Sequence, residues 1–235
     1  MKKQSTFAKL SGLVSHETWA SLIGMIYLGL IVNLLLVVAC LPLVVLLVTT
    51  DPMYSWPLLA VALPLAAPGL VGAFRAFREH SDGGRGPIRA FVAGLRDTWW
   101  RALLLGAAVT AIIVVLLVDV RMLSNTAAAV VTVPLLAVLA LLVVAVGLVA
   151  FVAVAEVPTA RLRDVVRASL YLSLRRWYLT AASLVVLGLQ AAVFAAAPAL
   201  GLGLTASAAL YLAWTNSRFT LRPVLDLDEK AAARA

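Results

Sequence analysis

FRAFREHSDGGRGPIRAFVAGLRDTWWR, Phe74 to Arg101, places six arginines within twenty-eight residues of a chain that is 63% hydrophobic. A soluble chain carries about a quarter of its residues as Asp, Glu, Lys or Arg. This one, at 235 residues, carries 13% and has a mean hydropathy of +1.04, which excludes an ordinary soluble globule. The arginine-rich stretch is an island between apolar segments. If it is a connector held on one side of a membrane, the runs flanking it are spans.

Working outward, uncharged apolar runs extend over Thr18 to Thr50, Pro52 to Phe74, Ala102 to Val118, Met122 to Ala155 and Trp177 to Ser217. Each is about as long as, or longer than, the roughly 20 residues that cross a bilayer core as helix. As one helix the last run, 41 residues, would reach roughly 60 Å at 1.5 Å per residue, about twice the hydrocarbon thickness. It must fold back, and Pro198, Gly201 and Gly203 mark the turn. The expectation is an all-α polytopic membrane protein of six transmembrane helices, residues 22–48, 56–74, 102–118, 127–155, 179–197 and 200–216, arranged as three hairpins. A segment 1–21 precedes this 22–217 domain and a tail 218–235 follows it. Membrane strands do not fit, because they alternate in and out whereas these runs are apolar on every side.

The formal net charge of +8 could signal nucleic acid, but the placement of the charge argues otherwise. With the N-terminus inside, three basic residues precede the first span, six lie in Arg75 to Arg101, five in Glu156 to Arg176 and four after the last span. Only Arg121 falls outside, so eighteen of nineteen are on one face, as the positive-inside rule requires. Both termini are therefore expected in the cytoplasm, with no nucleic-acid partner.

Each expected hairpin is preceded by a segment ending in tryptophan: Phe7 to Trp19, Pro87 to Trp99 and Pro158 to Trp177. In the second, Ile88, Phe91, Val92, Leu95 and Trp99 recur at helical spacing while Arg89, Arg96 and Asp97 lie off that stripe. In the third, Leu162, Val165, Val166 and Ser169 share a face, with Arg163 and Arg167 off it. Such helices lie in the interface, where each arginine near an anionic leaflet gains roughly 1 kcal/mol. Trp19, Arg89, Arg96, Trp99, Arg167 and Trp177 are thus expected interfacial anchors, their partner the anionic headgroups of the bilayer. IRAFVAGLRDTWW (88–100) and VRASLYLSLRRWY (166–178) share Arg, Ala and Trp at matching offsets, which suggests repeated helix-plus-hairpin units.

Residues that carry chemistry are sparse. His16 and His80 sit far apart with no HExxH or carboxylate cluster to complete a metal site. Cys40 has no base beside it, and although Val37 to Cys40 loosely resembles a lipoprotein cleavage site, the apolar run continues past it as a retained span should. No expected span contains Asp, Glu, Lys, Arg or His, which disfavours proton-coupled transport. The expectation is no catalytic, cofactor or metal site. Two amides, Asn33 and Gln190, lie within spans and must find hydrogen-bond partners there. Pro42, Pro64 and Pro68, with Pro57 and Pro134, are candidate kinks, and interrupted helices can form sites at mid-membrane.

Asn33 leading to Leu41-Pro42, a second span ending GAFRAFRE, RAFVAGLRDTWWRAL and the later LRDVVRASLYLSLRRWYLT together resemble the YesL-like family of bacterial integral membrane proteins, over residues 20 to 220. After Pro42 the chain continues LVVLLV where many members have a Thr-Ile-Gly-like turn. The resemblance implies a multi-pass protein of the bacterial plasma membrane, without an established activity, often encoded beside carbohydrate uptake. The expected role is a non-enzymatic accessory or regulatory component of such a membrane system, with a sugar-uptake transporter as partner. The alternative is a permease or channel for a small neutral solute.

Overall fold

The fold is that of a computed structural model, which describes residues 16–84 and 86–232, with side chains described for 23–51, 54–84 and 86–225. Among the described residues the helices run, in order, α1 His16–Ala39, α2 Leu41–Thr49, α3 Pro52–Ser81, α4 Pro87–Leu123, α5 Ala129–Glu156, α6 Leu162–Arg175 and α7 Trp177–Ala196. A single turn at Pro198–Leu200 and a π-helical turn at Gly201–Thr205 then lead into α8, Ala206–Ala232. No strand occurs among the described residues, in keeping with the all-α expectation. The helices α3, α4, α5 and α7 are each long and apolar enough to cross a membrane. The α1–α2 pair makes a fifth crossing if its two parts, bent by 76°, are counted as one. The bend falls at Cys40, two residues before Pro42 in the first turn of α2, where proline lacks the N–H that would continue the ladder. The apolar stretch expected at 200–216 is divided between the π turn and the start of α8.

One expectation about helix boundaries is corrected. Pro87 to Trp99 is not a separate interfacial helix: α4 runs unbroken for 37 residues through DTWWRALL, which contains no glycine, proline or capping break. Its apolar stripe is divided accordingly, with Phe91 buried and Ile88, Val92 and Trp99 exposed. Helix α3 continues through Pro57, Pro64 and Pro68, and α5 through Pro134. Neighbouring helices tolerate prolines in such spans by re-satisfying freed backbone groups. The third segment does form a separate helix, but of its expected face Val166 is exposed and Leu162 only half-buried. α6 is a 14-residue amphipathic helix with Val165 and Ser169 buried against the bundle and Arg163 and Arg167 exposed. Segments 88–100 and 166–178 are therefore built differently, because the second breaks at Arg176 (φ −115°, ψ 45°).

The most extensive helix packing is between α3 and α4, joined by the short arginine-bearing loop. α3 ends in a Schellman motif, in which the Gly84 N–H donates to the Glu79 carbonyl (2.7 Å) and the Gly83 N–H to that of His80 (3.3 Å). Gly83 supplies the required left-handed residue at φ +73°. Small residues bring the two helices together: a Cβ on Gly106 would lie 2.7 Å from the Ala67 Cβ, and one on Gly72 would lie 3.0 Å from the Phe91 carbonyl. Close approach at glycine is how apolar helices associate where no hydrophobic force acts between them. In α5, every residue from Gly147 to Glu156 is buried, so this half of α5 is the centre of the bundle. The opposite half is largely open, with Val130, Val131, Leu135 and Val138 exposed.

Candidate functional site

Asn33, on α1, is 2% exposed and reaches the π-helical turn. Its Nδ2 donates to the Gly203 carbonyl (3.1 Å), and its Oδ1 accepts from the Ser207 N–H (2.7 Å). Gly203 and Ser207 are four residues apart and would bond each other in an α-helix. Here one carboxamide stands between them and satisfies both. Gln190, on α7, donates from Nε2 to the Gly201 carbonyl at 2.7 Å, two residues away in the same turn. The two amides picked out from sequence thus converge on one irregular segment, Gly201–Thr205, where backbone groups leave their regular ladder. Gly201 fits because a Cβ there would lie 2.8 Å from the Phe194 backbone. Neither amide titrates, so the clamp can hold geometry but cannot move protons.

A second constellation, which the sequence reading missed, lies where α3, α5 and α8 meet. The Glu156 side chain is 3% exposed, its Oε2 3.4 Å from Arg78 Nε and its Oε1 3.7 Å from Arg218 Nε. Trp214 Nε1–H donates to Oε1 (3.2 Å), and Arg78 Nη1 donates to the Glu156 carbonyl (2.6 Å). Arg218 continues to Asp82 at 3.0 Å, and Arg78 to the same carboxylate at 3.6 Å. Arg218 also lies 5.3 Å over the Trp214 ring, above the aromatic cluster of Phe74, Phe77 and Tyr211. A carboxylate at a helix C-terminus opposes the helix dipole. Arg78 offsets this by meeting both the carboxylate and the terminal carbonyl. The only hints in the sequence are Arg78/Asp82 and Trp214/Arg218 at i, i+4, and Glu156 closing a long uncharged run. Their pairing depends on packing between distant segments.

The expected anchors Arg89, Arg96, Trp99, Arg167 and Trp177 are all exposed. Arg89 and Arg96 line one open cavity of about 850 Å³ together with Tyr27, Ile88, Val92 and Asp97, and Trp99, Arg167 and Trp177 lie outside it. The side chain of Trp19 and the start of its segment lie outside the described residues. Pro68 is buried and Pro64 packs against Gly106. Pro42 marks the α1–α2 bend. Among the described residues no group of His, Cys, Asp or Glu could hold a metal ion. Two adjoining cavities, about 270 and about 520 Å³, lie within the apolar bundle. No family model, curated protein or solved structure matches this chain.

Proposed function

We propose that this chain is a six-span protein of the bacterial plasma membrane that serves as a non-enzymatic accessory or regulatory component of a membrane assembly, carbohydrate uptake being the setting that the YesL-like resemblance suggests. The observation that carries this reading is the use to which the in-span polar groups are put. Asn33 and Gln190 are both engaged with the protein's own backbone. The inner cavities are lined almost wholly by hydrocarbon, which offers a hydrophilic solute no replacement for its hydration shell. A rigid, charge-locked end beside spans with much exposed apolar surface suits a protein that packs against others. Isolation from native membranes in mild detergent should recover a partner in constant proportion. Normal yield of the chain alone would count strongly against the reading.

In this reading both termini are cytoplasmic. Support comes from the ion-pair network, which gathers Arg78, Asp82, Glu156 and Arg218, all from segments assigned to the inner face, at one end of the bundle. Reporter fusions after Ser81 and Ser173 should give cytoplasmic signals, and one after Asp51 an external signal. The reverse pattern would overturn the orientation. A permease is the second reading, and the cavity volume favours it only for an apolar solute.

A further inference from the structure

The two cavities adjoin, sharing Leu63, Leu70, Val109, Thr110, Phe151 and Leu210 in their linings. The larger runs from exposed Trp56 and Leu117 at its lip to buried Phe74, Leu148 and Phe151 in the core. Along α3, residues 56 to 74 rise about 27 Å, close to the roughly 30 Å of a bilayer's hydrocarbon. The cavity therefore reaches from the membrane-facing surface to the centre of the bundle through most of its depth.

Water is a poor occupant, because an ordered water needs two to four polar partners. Among the lining side chains, the shared ones offer only the Thr110 hydroxyl, the smaller cavity adds the Cys40 thiol, which already faces the Ala66 carbonyl, and the larger adds the Trp56 indole at its lip. An empty apolar void is also unfavourable, since its lining loses contacts in proportion to volume. The chemistry that fits is a hydrocarbon chain, which the surrounding bilayer can supply through the open lip.

Thr110 narrows this further. The hydroxyls of Thr98, Thr132 and Ser183 each donate to the carbonyl four residues earlier. Thr110 makes no such bond among the described residues, and it lines both cavities. A lone hydroxyl in hydrocarbon gains from an oxygen on whatever fills the space. We propose that these adjoining cavities, lined by α1, α2, α3, α4, α5, α7 and α8, together bind a single long-chain alcohol, with Thr110, which lines both, as its polar anchor. The site is independent of the accessory role.

The test uses the full chain in liposomes with two photoreactive probes: a hexadecanol carrying a mid-chain diazirine, and a phosphatidylcholine carrying the same group in one acyl chain. The alcohol probe should form saturable adducts at Leu63, Val109 and Phe151 that excess hexadecanol displaces and hexadecane displaces less well. Phosphatidylcholine should label these positions far less. Thr110→Val keeps the shape and should weaken alcohol labelling about three- to tenfold without moving the adducts. Adducts confined to exposed positions such as Val130 and Val131, or equal unsaturable labelling by both probes, would mean ordinary bilayer contact and overturn the site. Unchanged affinity in Thr110→Val would overturn recognition of the oxygen.

Discussion

Asn33→Leu should destabilise the bundle by about 2–4 kcal/mol, read as a lowered midpoint of SDS-induced unfolding in mixed micelles. An interhelical hydrogen bond in a membrane contributes roughly 0.6–2 kcal/mol, and Asn33 makes two. Its removal also strands a carbonyl and an N–H in apolar surroundings, each at a cost of about 1–3 kcal/mol unless they find new partners. The Gly203 carbonyl and Ser207 N–H could satisfy one another only by closing the gap that the carboxamide fills. Closing it would turn the rest of α8 and draw Trp214 and Arg218 away from Glu156. The loss in Asn33→Leu should therefore be non-additive with Trp214→Phe, although these sites belong to different constellations. Gln190→Leu removes one bond, from a half-buried side chain, and should cost less. A wild-type midpoint for Asn33→Leu would show that the clamp holds nothing, and strict additivity with Trp214→Phe would show that it is not coupled to the Glu156 network.

How far the sequence foretold these features depends on how local each signal is. The apolar runs exposed the helical class, and Asn33 and Gln190 stood out because an amide in a span must be satisfied somewhere. Where they are satisfied was hidden: a π turn leaves no mark in hydropathy, and Gly201 and Gly203 were read as punctuation for a simple reversal. The bend at Cys40 was legible through Pro42, whereas α3 runs on through Pro64 and Pro68, because neighbours in three dimensions decide whether a proline breaks a span. The unbroken course of α4 was concealed by charge pattern. Arg96, Asp97 and Arg101 look like an interface boundary, yet nothing in the backbone chemistry of those residues stops a helix. Glu156 escaped notice for a different reason. Its partners are 78 residues before it and about 60 after it, and no local pattern carries a contact of that separation.

Glu156→Ala should cost about 2–4 kcal/mol in the same unfolding assay, from the loss of a single carboxylate. Removing one partner of a buried pair typically costs about 3–5 kcal/mol, because the remaining charge is left without compensation. The figure expected here is lower, since the side chains of Arg78 and Arg218 are 34% and 30% exposed and water can take up part of the loss. Asp82 also stays within reach of both guanidinium groups. Glu156→Gln should lose less than Glu156→Ala, because its amide oxygen can still accept from Trp214 Nε1–H. The sharper test removes charge from both sides at once. In Glu156→Met with Arg218→Met the penalty of an unpaired ion is reduced, so the double variant should lose less than the two single losses together, with a coupling of about 0.5–3 kcal/mol. Raising salt to molar levels should change the wild-type midpoint little, because ions cannot screen a carboxylate that is almost wholly buried. If the double variant were simply additive, the three helix ends would be held by their aromatic packing alone, and the charges would be passengers.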